Sequence, residues 1–151
     1  MHRFSYPLKL FITIVLQFGW SLWITVVCAS NLFSIFYGGG NFELIRSTTA
    51  LYHVPGFLNI TVFIGVILWQ IAIGILFWYS CIQLVRRKKK DNASIQLAYI
   101  ASLSLWFTFI ILDEVFLNYR IEVNHLIILI AQLTSLAYIT SLSSYRKRDV
   151  S

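Results

Sequence analysis

Apolar positions along the chain fall into four long runs, at residues 8–31 with a possible extension to 37, at 57–85, at 95–117 and at 125–143. Each is near or above the roughly 20 residues that cross about 30 Å of hydrocarbon as a helix. None alternates in and out as a barrel strand must, so helices are expected. Short polar connections force consecutive helices to run antiparallel. The pattern therefore predicts an all-α, polytopic membrane protein in one domain, a four-transmembrane-helix up-down bundle.

Composition agrees. Of 151 residues, 58% are hydrophobic and only 12% charged, with a mean hydropathy of +0.75. Soluble domains carry about twice that share of charge, which excludes a cytosolic enzyme, a secreted domain and a disordered tail. The net charge of +6 sits in short clusters between apolar runs, so it points to anionic lipid and topology, and no nucleic-acid partner is expected. Arg3 and Lys9 precede the first span; Arg86, Arg87, Lys88, Lys89 and Lys90 separate the second from the third; Arg146, Lys147 and Arg148 follow the fourth. Arg46 and Arg120 alone fall on the other side. By the positive-inside rule both termini and the five-residue basic loop are expected in the cytoplasm. The basic start followed by an apolar run resembles a signal peptide, but the run exceeds the usual h-region of about 7–15 residues, so an uncleaved span is expected. Cys28 and Cys81 then lie near opposite faces of the bilayer and no bridge between them is expected.

Small residues mark close helix contacts in lipid. Ser94, Ala98, Ala101, Ser104 and Thr108 share one face of the third span, and Thr61, Gly65 and Ala72 lie in a similar register on the second, with Gly74 nearby. Ala131, Ser135 and Ser141 do so less tidily on the fourth. These predict the packed faces, with the third helix at the centre. Gln17, Gln70, Gln96 and Gln132 supply one amide to each span. Gln70, the deepest, is expected to turn inward as a hydrogen-bonded link between helices; a ligand or proton-path contact is the other reading. Trp20 and Trp23 share a face, and Trp78 with Tyr79 fits an interfacial belt.

Titratable groups concentrate on the outer side. The first outer connection opens with Gly38-Gly39-Gly40, which breaks the first helix. Asn41 could cap a short amphipathic helix with Phe42, Leu44 and Ile45 toward lipid and Glu43, Arg46 and Ser47 toward water. Tyr52 and His53 follow, and Pro55-Gly56 turns the chain into the second span. The Lys and Ser/Thr of a phosphate loop are missing after the glycines. Asn59-Ile60-Thr61 matches a glycosylation acceptor but is too near the membrane, and helix entry is its expected role.

Asp113 and Glu114 lie inside the third apolar run, about 27 Å above Ile95 at 1.5 Å per residue. His125 opens the fourth span across a connection holding Tyr119, Arg120, Glu122 and Asn124. Asp113 continues an inward stripe with Trp106 and Ser102, whereas Glu114 points about 100° away. Ionisable groups at membrane depth are functional candidates by default. The candidate ligand or ion-pair residues are thus Asp113, Glu114, Arg120, His125, Gln70, Glu43 and His53. The first expectation is a structural clamp; an ion or ligand site is the second and a metal site the third. No metal-ligand spacing, nucleophile–base pair or cofactor motif is present, so no metal, no cofactor and no enzymatic activity are expected.

Several segments resemble an uncharacterised family of bacterial small integral membrane proteins with four helices. The resemblance covers about residues 18–139. Its carriers are Asn31 followed by Asn41-Phe42-Glu43, the segment Ile82-Gln83-Leu84-Val85-Arg86-Arg87, and Leu105-Trp106-Phe107 followed by Asp113-Glu114-Val115-Phe116. Where that family shows Gly-Glu-Trp-Phe, Glu114 and Phe116 match while Asp113 and Val115 depart. Gln70 replaces a family Glu. The resemblance implies a bacterial inner-membrane location and brings no activity. The resulting expectation is a homo-oligomer or accessory subunit of a larger membrane complex. The alternatives are a small transporter or channel component gated by Asp113, Glu114 and His125, and a redox-chain subunit contacting quinone through its Trp residues, His53 and Gln70.

Overall fold

A computed structural model describes residues 6–86, 92–116 and 119–148, with residues 6, 7, 92, 119, 120 and 142–148 described in their backbone only. The described chain forms α1 (Tyr6–Tyr37), α2 (Gly40–Ala50), α3 (Gly56–Val85), α4 (Asn92–Val115) and α5 (Tyr119–Arg148). Four of these, all but α2, are long and apolar enough to cross a membrane. The protein is a multi-pass, all-α bundle of four spans. α1 packs along α3, α3 along α4 and α4 along α5, while α5 meets α1 only briefly. No single helix is central, contrary to the expectation for the third span. Arg86, the start of α1 and the end of α5 share one end of the bundle, called the basic end below. The opposite, loop end carries α2 and the α4–α5 connection.

The radial order of residue types is that of a protein dissolved in lipid. Phe11, Val15, Phe18, Val26, Phe33 and Phe36 turn outward from α1, while Thr13, Gln17, Ser21, Asn31 and Ser34 turn inward. α3 likewise buries Asn59, Gln70 and Ser80 beside Phe63, Ile67, Ile73 and Phe77. In hydrocarbon an exposed leucine loses nothing, whereas an unpaired polar group costs several kcal/mol. Buried Ile24, Ile73, Phe77, Ile95, Ala98, Tyr99, Leu105 and Ile139 form the apolar core.

Small residues were a mixed guide. Ser94 and Ala98 are buried as expected, but Ser104 is exposed and Thr108 half-buried, and both bond back to their own helix, at Ala101 and Ser104. Thr61, Gly65 and Ala72 are also exposed. Among the glycines of α3 it is Gly74, offset from that register, that meets a neighbour, with Ile24 3.7 Å from the position of a Cβ. On α3 the large residues Phe63, Gln70 and Phe77, seven apart, define the inner face.

The glycine run does break the first helix: Gly38, Gly39 and Gly40 all have positive φ (73°, 77° and 57°), a region that glycine enters without penalty. The residue before α2 is Gly39, with no side-chain cap. Asn41 is therefore not a cap. It lies inside the helix and reaches Asn31. Phe42 turns inward against Phe63, ring centroids 5.2 Å apart, instead of toward lipid; Leu44 is exposed as expected. Pro55 precedes α3, its fixed φ of −58° and absent N–H suiting a helix entry. At the second hairpin the helix starts earlier than expected. Glu122, Asn124 and the backbone of Tyr119 and Arg120 belong to α5, which places His125 in its second turn. Leu117 lies outside the described residues.

Candidate functional site

Two seven-residue stripes face each other at the loop end. α4 presents Asp113, Trp106, Ser102 and Tyr99 inward; α5 presents His125, Gln132, Ser135 and Ile139. At their top the Nδ1 of His125 lies 2.5 Å from Oδ2 of Asp113. Asp113 is 9% exposed, and the two side chains retain 12% and 19% of their free surface. With the carboxylate ionised, Nδ1 carries the proton and donates, which fixes the imidazole's orientation. The ring lies against two aromatic walls, its centroid 5.0 Å from Phe109 and 5.6 Å from Trp106. Trp106 continues to Trp23 at 5.2 Å and Trp23 to Trp20 at 5.5 Å. A run of edge-on and tilted ring contacts thus joins α5, α4 and α1 and supports the Asp113–His125 hydrogen bond from below.

Of the candidate residues whose side chains are described, the fold brings only Asp113 and His125 together. Glu114 is exposed and faces away. Glu43 is engaged by Arg46 on the exposed side of α2, through two bonds of 2.9 and 3.0 Å. The Arg46 hydrogen bonds hold the Glu43 carboxyl below its ordinary range. That contribution to stability exists above the unfolded carboxyl value and disappears as pH falls through the folded one; lying at the surface, the pair contributes little. Arg120 is described in its backbone only. His53 is exposed, in a turn with φ of 55°, and is not gathered with Gln70 and the tryptophans as the quinone reading required. Arg86 is exposed at the end of α3; Arg87, Lys88, Lys89 and Lys90 lie outside the described residues.

Gln70 is buried and accepts a hydrogen bond from Nδ2 of Asn31 at 2.9 Å, while Oδ1 of Asn31 accepts one from Asn41 at 2.7 Å. This relay ties α1, α2 and α3 together. It is the interhelical link expected of Gln70, with Asn31 as its missed centre. Asn31 was legible in one respect: it lies seven residues beyond Ile24, on the face that also carries Gln17 and Ser21. Replacing Asn31 with leucine is expected to lower stability by about 1–2 kcal/mol, read from unfolding in mixed detergent micelles, with α2 released first.

Toward the basic end the same logic recurs. Gln17 donates to the hydroxyl of Ser80, joining α1 to α3. Trp20 donates to Ser135 at 3.1 Å, joining α1 to α5, and Trp78 donates to Thr25 at 3.0 Å. Three buried atoms among the described residues have no partner: Oε1 of Gln17, the hydroxyl of Tyr99 and Oε1 of Gln132.

Comparison with protein-family models, curated proteins and solved structures finds no match to this chain.

Proposed function

We propose that the protein is a non-catalytic integral protein of a bacterial inner membrane that works as an assembly partner, either as a homo-oligomer or as an accessory subunit of a larger membrane complex. One observation carries this reading: polar groups within the spans and at their ends bond one helix to the next. Asn31 holds Gln70, Gln17 holds Ser80, Trp20 holds Ser135, and His125 holds Asp113. Apolar side chains such as Phe11, Phe33, Leu68 and Ile75 are left facing outward, available to lipid or to another membrane helix. The lysine and arginine distribution supports termini and the 86–90 segment on the cytoplasmic side, where Arg86 and its basic neighbours would meet anionic headgroups. The test is gentle extraction of the tagged protein from its native membrane, followed by native mass spectrometry. A stoichiometric partner or a defined oligomer is expected. A lone monomer retaining a small ligand would contradict the proposal.

One observation favours a second reading, an ion-coupled site: Asp113 and His125 form a carboxylate–imidazole pair at the end of two spans, and such groups mark ion paths in many membrane proteins. Under that reading purified protein in liposomes carries a cation or proton flux that His125→Gln abolishes. Under the assembly reading the liposomes show no flux with either protein.

A further inference from the structure

We infer that Tyr52 is a latch on the loop end of the bundle, whose release opens the Asp113–His125 pair to water. The bundle divides into two groups: α1 packs along α3 with α2 against both, and α4 packs along α5. Away from the loop end, side chains tie the groups together through Trp20 to Ser135, Trp23 to Trp106 and Phe77 to Tyr99. At the loop end, beyond the packing of α3 on α4, the hydrogen bonds and ring contacts that join the groups among the described residues are those of Tyr52. Its hydroxyl donates to the Phe116 carbonyl at 3.2 Å, and its ring meets the Phe116 ring edge-on, centroids 5.2 Å apart.

Local structure both aims this side chain and makes it releasable. After α2 the His53 N–H donates to the Ala50 carbonyl at 3.1 Å and the Val54 N–H to the Thr49 carbonyl at 3.3 Å, the paired closure of a Schellman motif. That motif needs a left-handed residue, and His53, with φ of 55°, fills the position usually given to glycine, at a steric cost that glycine avoids. Tyr52 is thus held by a turn that unwinds easily. It is itself 45% exposed, so water competes for its bond to Phe116. Contacts of this kind open locally while the rest of a fold stays closed.

The residue that Tyr52 holds lies next to the pair. The Phe116 N–H donates to the Leu112 carbonyl at 2.9 Å, which continues the spiral of α4 past Val115. Phe109, Asp113 and Phe116 therefore follow one face at i, i+4 and i+7. The Phe109 ring walls His125, and Phe116, held by Tyr52, stands one turn beyond Asp113. With the latch closed, the Asp113 and His125 side chains keep only 12% and 19% of their free surface. The latch is independent of whether the pair works as a clamp or as an ion site.

Labelling of the protein in lipid nanodiscs with diethyl pyrocarbonate, read by mass spectrometry at each histidine, measures access to His125. In the wild type His125 is expected to react far more slowly than the exposed His53. Tyr52→Phe keeps the ring and loses the bond, and should speed His125 labelling about threefold. Tyr52→Ala loses both contacts and should speed it about tenfold. Amide exchange around Trp20 and Ser135 is expected to stay at the wild-type rate in both variants. A wild-type His125 as reactive as His53, or a His125 rate unchanged by Tyr52→Ala, would overturn the inference. So would amide exchange around Trp20 and Ser135 accelerated by the same factor as His125 labelling, because the whole bundle would then be loosened and not its loop end.

Discussion

His125→Leu is expected to destabilise the protein by about 3–5 kcal/mol, a drop of roughly two to three orders of magnitude in the folded-to-unfolded ratio. The reason lies with the partner left behind. Asp113 is 9% exposed, is held by the His125 imidazole at 2.5 Å, and sits at the end of a span lined with rings. Without His125 its carboxylate stays buried with its main donor gone. Removing both groups is a different matter. Asp113→Leu combined with His125→Leu leaves two apolar side chains of similar volume facing each other, and paired apolar replacements of buried ion pairs are often neutral or stabilising. The double variant should therefore recover most of the loss. Reversible unfolding of the wild type, both single variants and the double variant completes the cycle. Additive losses would show that the two residues act independently.

Trp106→Ala is the second large effect, also about 3–5 kcal/mol. Trp106 is 3% exposed and is the hub of the ring stack. It contacts Trp23 at 5.2 Å, Phe109 at 5.5 Å and His125 at 5.6 Å, and it donates its indole proton to Ser102 at 3.2 Å. Truncation opens a cavity where α1, α4 and α5 meet, and α5 has few other contacts with α1 to hold the seam closed. Trp106→Phe keeps a ring in the stack and should lose much less. The comparison is made by thermal unfolding of purified protein in one detergent. Equal losses for both variants would mean that the indole hydrogen bond, and not the packing, carries the contribution.

The spans were legible because runs of this length have one physical outcome in a bilayer. The inner faces were only partly legible. In hydrocarbon, apolar residues carry no preference for inside over outside, so hydrophobic periodicity loses the meaning it has in water. Small residues filled the gap badly: Gly65 and Thr61 are exposed, and the face of α3 is set by Phe63, Gln70 and Phe77. Polar residues were the better guide. Gln17, Gln70 and Gln132 are all buried, although Gln96 is exposed, near the basic end where water is close. Asp113 could be placed on the inner stripe from its spacing to Trp106 and Ser102. Glu114, next in the chain, was grouped with it on charge although a rotation of about 100° turns it outward. The partners of these groups were not legible. Asn31 with Gln70, Ser80 with Gln17 and Ser135 with Trp20 depend on the relative heights of helices, which connection lengths fix only within a turn or so. The early start of α5 at Tyr119 shifted that register further.

Polar groups within the spans serve as bonds between helices. Solid-state NMR of ¹⁵N-histidine protein in lipid bilayers tests it most directly at His125. The claim predicts an Nδ1–H resonance displaced by a strong hydrogen bond in the wild type and lost from that position in Asp113→Leu, with the His53 signal unchanged. Identical His125 signals in the two proteins would contradict it.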